Sequence, residues 1–502
     1  MKFISIALFI GLSILFACAF QEQVPESSQI VNGTLGEKLN EKLTPFVEKI
    51  LADHDCKSSV AIGITKGDEI IYAKAFGYAN LAKKEPATLN TKYHMSSISK
   101  TFVASAIVKL QEQGKLNIDD RIIDHLPYFK LKSPEYKDIT IKQLLTHSSG
   151  LPQHLGLDEW KKPSYDEEAL ERYVKKASDY ELEFDPGAQF SYSDVGFNTL
   201  GDIISKASGM TFENYVEEHI LKPSGMEGAT FLKPEYLPEH WAAPYIIGTT
   251  TQEWKYYPYN RMYAPSNALS ASVLDMCNWG MINLNHGTLK NLKVLDSASY
   301  DLLFNPWFDT PWNEKIGFSW FLQHYEGMKT ILHTGADIGF ESQLIMYPEE
   351  DISIAVMANR AYSRTARIAN ASMEIIKDLE VKSYNVSARF PFAKSYEENG
   401  LEAAKIEWKK LFKDTTDIYY ANEWEMNIIG HGLIFTGEYE KALEIFNFNI
   451  ECFPKSGNVY DSYGDALLAK GDTLMAITYF RKAMEVDSTF TEPISKLENL
   501  GQ

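Results

Sequence analysis

Beyond residue 400 the chain repeats itself. Gly430, Gly437, Ala442 and Phe446 recur as Gly464, Gly471, Ala476 and Phe480, each 34 residues on. A period of this length arises when one small structural unit stacks on its own copy, because a single unit cannot bury its apolar face alone. Small residues where two helices cross and a ring filling the space between them specify helix pairs. Phe412 extends the phenylalanine position one unit back, Pro454 sits where a unit should end, and residues 493–500 read as a last helix. Two good units, one degenerate unit and a closing helix are therefore expected over 399–502, after a linker at 381–398.

The rest of the chain is a domain of ordinary composition. Of 502 residues, 45% are hydrophobic and 13% aromatic, enough for a sizeable core. The net charge of −19 argues against non-specific binding to nucleic acid or to an anionic membrane. At the N-terminus, Lys2 precedes an apolar run over 3–16 that is too short to span a bilayer. Residues 1–19 read as a signal peptide cut before Phe20. Alternatively Cys18 is the lipidated residue of a bacterial lipoprotein signal, and only then is membrane attachment expected. Either route exports the domain, with the periplasm as the expected compartment. The four cysteines are sparse and unpatterned, and no C-x-x-C or H-E-x-x-H occurs, so no disulfide framework, metal or cofactor is expected.

In order, 38–54 has helical spacing, and 59–65 and 69–76 are β-rich runs joined by Lys66-Gly67-Asp68. Apolar residues at Phe102, Val103, Ala106, Ile107 and Leu110 predict a helix with one buried stripe, beginning near Ser97 and stopping by Gly114. Shorter helical patterns cover 118–126 and 139–145, and 157–183 reads as charged and mainly helical. Helices are expected at 199–208, 212–220 and 272–284, then strands over 317–357 and a helix over 363–379. The aromatic stretch 241–263 reads as strand packing, with a cleft wall as the other reading. The expected fold class is mixed α/β (α+β): an antiparallel sheet built from both ends of residues 35–380, flanked by helices and a helical subdomain.

Three short motifs carry chemistry. Ser97-Ile98-Ser99-Lys100 holds the only Ser-x-x-Lys in the chain. On a helix start it sets an amine one turn from a hydroxyl, and a hydroxyl needs such a neighbour to become a nucleophile. Tyr192-Ser193-Asp194 follows a Pro-Gly turn on a predicted loop. His333-Thr334-Gly335 opens a strand. Each alone says little; the three in this order say much more.

In this order the motifs resemble the penicillin-recognising serine hydrolases, of the class C β-lactamase and D,D-peptidase branch. The flanking phrases at 144–152 (LLTHSSGLP) and 186–193 (PGAQFSYS) resemble it too, over roughly residues 35–380. The resemblance implies that Ser97 attacks an acyl carbon while Lys100 and Tyr192 relay the proton. It places the backbone N–H groups of Ser97 and Ala336 in the oxyanion hole, and Thr334 and Gly335 against the substrate. Two residues depart from the family pattern. Asp194 stands where β-lactamases carry Asn, and its carboxylate would favour the ammonium form of Lys100, shifting the base role towards Tyr192. His333 stands where they carry Lys, so recognition of a substrate carboxylate should be weaker. An exported serine hydrolase acting through an acyl-enzyme on a small-molecule or peptide substrate is expected. The alternatives are a β-lactamase, or a catalytically weak binding protein using the hydrolase fold. The repeats resemble tetratricopeptide units and offer a surface for a protein partner.

Overall fold

The computed structural model describes residues 29–155, 162–234, 237–414, 416 and 418–501. The signal-peptide stretch with Cys18, and residues 157–161 of the charged segment, lie outside the described residues.

Nine strands form one sheet: β1 (Gln29–Val31), β2 (Val60–Lys66), β3 (Glu69–Phe76), β4 (Phe308–Asp309), β5 (Lys315–Ile316), β6 (Phe321–Tyr325), β7 (Met328–Asp337), β8 (Phe340–Tyr347) and β9 (Ile352–Ala358). Their spatial order is β1-β3-β2-β9-β8-β7-β6-β5-β4, with every pair antiparallel. The sheet is thus assembled from both ends of the domain, and the seam is the β2–β9 pair, running from Val60 opposite Ala358 to Lys66 opposite Ile352. Alternation of side chains gives each face its own core. On one face α1 (Gly33–Asp53) and α5 (Thr365–Ile376) cover Ile62, Ile64, Ile354 and Val356. On the other, α4 (Val273–Leu284) covers the strands, and α2 (Ser99–Glu112) and α3 (Asp194–Ser208) pack beyond it in one core with Ala61, Leu344 and Met357.

Several expectations need correcting. Helix α2 is buried all round from Ser99 to Val108, not along one stripe, because it lies between the sheet and the helical layer. It begins at Ser99, after a 3₁₀ turn over Ser96–Ile98 that carries Ser97. Helix α3 starts five residues earlier than predicted: Ser193 is its N-cap, its hydroxyl accepting from the Gly196 N–H at 3.0 Å, so Asp194 is the first helical residue. Within the described part of 157–183, α-helix covers only Ala169–Lys176. The stretch after it is held out of a helix by bonds to a facing loop, the Lys132 N–H to Tyr180 O at 2.9 Å and the Glu183 N–H to Gly150 O at 2.8 Å.

The predicted linker at 381–398 is structured. Val386–Ser387 pairs in parallel with Tyr419–Tyr420, and α6 (Arg389–Asn399) follows. Pro391 sits in the first turn of α6, where a missing N–H costs no intrahelical bond. Phe392 stacks on Phe448 with ring centres 6.0 Å apart, so this segment belongs to the core of the C-terminal helices. Those continue as α7 (Leu401–Phe412), α8 (Glu423–Thr436), α9 (Tyr439–Cys452), α10 (Gly457–Lys470), α11 (Thr473–Val486) and α12 (Glu492–Asn499). Gly430 of α8 lies beneath the ring of Phe446, and Gly464 of α10 beneath that of Phe480. Phe412 does not repeat this contact; it is 51% exposed and meets Phe453 edge-on.

The C-terminal helices rest on the N-terminal domain through α8. Gly432 is the contact point: a Cβ there would stand 1.9 Å from the carbonyl oxygen of Ile247. Ile247 ends one strand of a small hairpin, Tyr245–Ile247 with Thr251–Glu253, formed inside the aromatic stretch 241–263. Beside it the Gln252 side chain donates to Glu438 at 2.7 Å, and Trp254 meets Phe435 edge-on at 5.4 Å.

Candidate active site

The turn before α2, the N-terminus of α3 and the upper end of β7 converge on Ser97. Strand β6 stops pairing with β7 at Leu332, so residues 333–337 of β7 form an edge that packs on the Ser97 turn instead. Gly335 permits that approach, since a Cβ there would be 2.2 Å from the Met95 carbonyl oxygen. Ser342 of β8 donates to the same carbonyl at 2.9 Å, tying the turn to the sheet. Ser96, directly before Ser97, has φ +50°, a strained conformation for a residue with a side chain.

Lys100 is fully buried among polar partners. Its Nζ donates to Ser97 Oγ at 3.1 Å and to the Ser266 carbonyl at 2.8 Å, and lies 2.6 Å from Asp194 Oδ1. It also lies 4.9 Å from the centre of the Tyr192 ring. Burial alone would lower the pKa of this amine, but the charges of Asp194 and Tyr192 outweigh it and the net shift is upward. Lys100 is therefore an ammonium at neutral pH. The Tyr192 hydroxyl, within hydrogen-bonding reach of Lys100 and Ser97, has its pKa raised by desolvation, which the charge of Lys100 only partly offsets.

Two residues that motif reading passed over stand beside this group, His147 against Tyr192 and His154 against Asp194. His147, at φ +54°, stacks its ring on that of Tyr192 at 4.3 Å. Its Nδ1 accepts from the Ser193 N–H at 3.0 Å and its carbonyl from the Ser191 N–H at 2.8 Å, clamping the loop on both sides of Tyr192. His154 puts its Nδ1 3.2 Å from the second oxygen of Asp194. The Asp194 carboxylate thus bridges a buried ammonium and an imidazole at the cleft mouth.

A cleft of about 540 Å³ opens over Ser97 and is lined by Tyr192, Asp194, His154, Tyr263, Asn267 and Ala336, among others. Tyr263 is the member of the 241–263 stretch that reaches it. Ser97 and Ala336, the predicted oxyanion-hole pair, share this cleft. Thr334 and Gly335 do not line it. Both line a neighbouring groove, and Gly335 also packs against the Met95 carbonyl. His333 lies beneath the surface, its Nδ1–H donating to the Thr334 carbonyl at 2.7 Å. Burial and the nearby charge of Lys100 push its pKa down to about 3, so it is neutral and supplies no cation. Asp337, two residues past Gly335, lies 3.1 Å from His94 Nε2 and accepts from Asn267 at 3.2 Å, at the far end of the cleft.

A Ser–Lys pair beside a desolvated tyrosine suits acyl transfer. The hydroxyl can attack, the ammonium can stabilise the charge that develops, and the phenol can move a proton.

Comparison with known proteins agrees with this geometry. The family model described as Beta-lactamase matches residues 46–376. Protein flp of Staphylococcus aureus strain MW2 is 28% identical over 314 residues, which make up 62% of this chain and 62% of that protein. Penicillin-binding protein 4* of Bacillus subtilis strain 168 is 26% identical over 314 residues, 59% of this chain and 66% of that one. The matched part is thus less than two thirds of the length of Protein flp. Among solved structures, the octameric penicillin-binding protein homologue from Pyrococcus abyssi superposes with a TM-score of 0.59 at 26% identity, covering 71% of this chain and 80% of that one. The penicillin-binding protein from Bacillus halodurans, at 24% identity and a TM-score of 0.54 over 66% of this chain and 97% of its own, shares the fold. Since the family match takes in more than half of the chain and every cleft residue named above, the protein belongs to the Beta-lactamase family.

Proposed function

We propose that the protein is an exported serine hydrolase that opens a peptide, amide or ester bond through an acyl-enzyme on Ser97. The observation that carries this reading is the placement of Lys100, 3.1 Å from Ser97 Oγ and 2.6 Å from Asp194, with Tyr192 against both Ser97 and Lys100. Because Lys100 is held as an ammonium, it acts as the electrostatic partner. Tyr192 in its ionised form takes the Ser97 proton as Oγ bonds to the acyl carbon. The N–H groups of Ser97 and Ala336 receive the oxyanion, each worth about 3–4 kcal/mol in the transition state. As the tetrahedral species collapses, the bond to the leaving group breaks and Tyr192 returns its proton there. Water then repeats the sequence in reverse: Tyr192 takes its proton, hydroxide adds to the acyl carbon, and Ser97 is released with the proton restored.

The neutral His333 favours a peptidase or esterase over a β-lactamase, because no fixed cation waits there for a β-lactam carboxylate. Export is supported by the apolar run at 3–16, and a tetratricopeptide-like role for the C-terminal units by their 34-residue spacing. The test is intact-mass measurement after exposure to a serine-reactive phosphonate and to penicillin. The wild type should gain one adduct and Ser97→Ala none, with turnover of responsive substrates falling about 10³-fold or more. An adduct that survives Ser97→Ala would sink the assignment.

A further inference from the structure

A groove of about 960 Å³ lies between the β7–β8 hairpin, the start of α5 and helix α8. We propose that it binds the acyl arm of a peptide substrate, so that the C-terminal helices form part of the substrate site. This rests on the serine-hydrolase reading and adds to it a substrate class and a second wall.

The groove starts where the cleft ends, since Ala336 and Asp337 line both. Tyr192, Asp194 and His154 line the cleft but not the groove. The leaving group must reach Tyr192 to be protonated, so the portion of substrate that crosses Ala336 and Asp337 is the acyl portion.

Two features of the lining define the chemistry of the arm. The first is apolar surface left open to water. Trp424 is 61% exposed, Tyr362 49% and Phe435 45%, and all three line this one groove with Ile338 and Ile428. Exposed rings gathered on one concavity mark a binding surface, whereas scattered ones need no explanation. The second is polar lining beside those rings: Thr334, Asn427 and His431 share the groove with them and can pair with amide groups. A peptide brings backbone carbonyls together with apolar side chains. An aliphatic acyl chain brings no acceptors.

The groove is preformed by the docking of α8. Gly432 sits against the Ile247 carbonyl, and the Gln252–Glu438 hydrogen bond and the Trp254–Phe435 ring contact fix the same end of the helix. A wall held this way can discriminate between substrates without ordering at the moment of binding.

The experiment compares p-nitrophenyl acetate, p-nitrophenyl octanoate and the p-nitrophenyl ester of N-acetyl-Leu-Phe-Ala on the full chain. The tripeptide ester should have the highest kcat/KM. Its ratio to acetate should fall by about tenfold or more in the Trp424→Ala/Phe435→Ala double variant, the scale expected for lost apolar contacts. Octanoate favoured as strongly as the tripeptide ester would overturn the peptide assignment, and an unchanged ratio in the double variant would overturn the groove. A second measurement needs no turnover: anisotropy of dansyl-Leu-Phe-Ala on Ser97→Ala, with and without the two groove substitutions. Affinity should drop by about tenfold, and equal affinity in both backgrounds would overturn the proposal. If the wild type hydrolyses none of the esters, the hydrolase reading fails while the binding measurement still decides on the groove.

Discussion

Lys100 and Asp194 have to be read together. An amine so deeply buried would ordinarily lose its proton readily; here the carboxylate 2.6 Å away keeps it charged. The same carboxylate also raises the pKa of Tyr192. Asp194→Asn removes that negative charge, so the pKa values of Lys100 and Tyr192 should both move down. If ionised Tyr192 is the base, the rising limb of the kcat/KM–pH profile should shift to lower pH, and activity near neutrality should increase. A limb that stays in place would mean that Tyr192 does not titrate in the rate-limiting step. At this scale the sequence was informative wherever a residue belonged to a short motif, as Ser97, Lys100, Tyr192, Asp194 and Ala336 did. Ser266, Asn267 and His147 escape motif reading because their place comes from tertiary approach, whereas Tyr263 fits the cleft-wall reading of 241–263. A serine whose backbone carbonyl accepts from Lys100 leaves no trace in its side-chain type. The one usable signal was the phrase around His147, which stood out for its resemblance and not for the stacking it provides.

At the scale of elements, periodicity served well where one face of an element was buried and failed where burial was total or local bonds intervened. The β2–β3 hairpin, α4 and the strand run from β6 to β9 follow the predicted order with shifts of a few residues. Helix α2 is buried all round because its remaining positions carry small or short residues, Thr101, Ala104 and Ser105, which periodicity counts as neutral. The 381–398 stretch looked like a linker because its apolar block, Phe390 to Ala393, contains a proline. Only the tertiary position shows that Phe392 serves a core. The docking of α8 makes a direct prediction. Gly432→Ala places a methyl against the backbone at Ile247, where no flexible side chain can yield. It should cost about 1–3 kcal/mol in denaturant unfolding, the usual penalty for overpacking. Unchanged stability would mean that α8 does not sit where described.

Across the whole molecule, buried histidines set the response to acid. His54, beneath α6 and facing Arg360, Arg364 and Arg389, is lowered to about 4, first by burial and then by those charges; His333 is lowered to about 3. Both have folded pKa values below the unfolded value near 6.5. The unfolded chain therefore binds more protons than the native one between pH 6.5 and those values, and stability present above pH 6.5 is lost as pH falls through that window. Each such histidine contributes a slope of about 1.4 kcal/mol per pH unit. The melting temperature should drop steeply from pH 6.5 to 4.5, and less so in His54→Gln. A flat profile would contradict the burial of both rings. The uneven distribution of the core has a last consequence. The outermost helices α11 and α12 share a small apolar cluster, while the sheet carries two large ones. Opening begins where few apolar contacts must be broken. If the C-terminal helices loosen first, they take α8 with them and leave Ser97 and Lys100 standing. On warming, such an enzyme would turn indiscriminate before it turned inert, and its choice of substrate would report temperature over a range in which its chemistry does not.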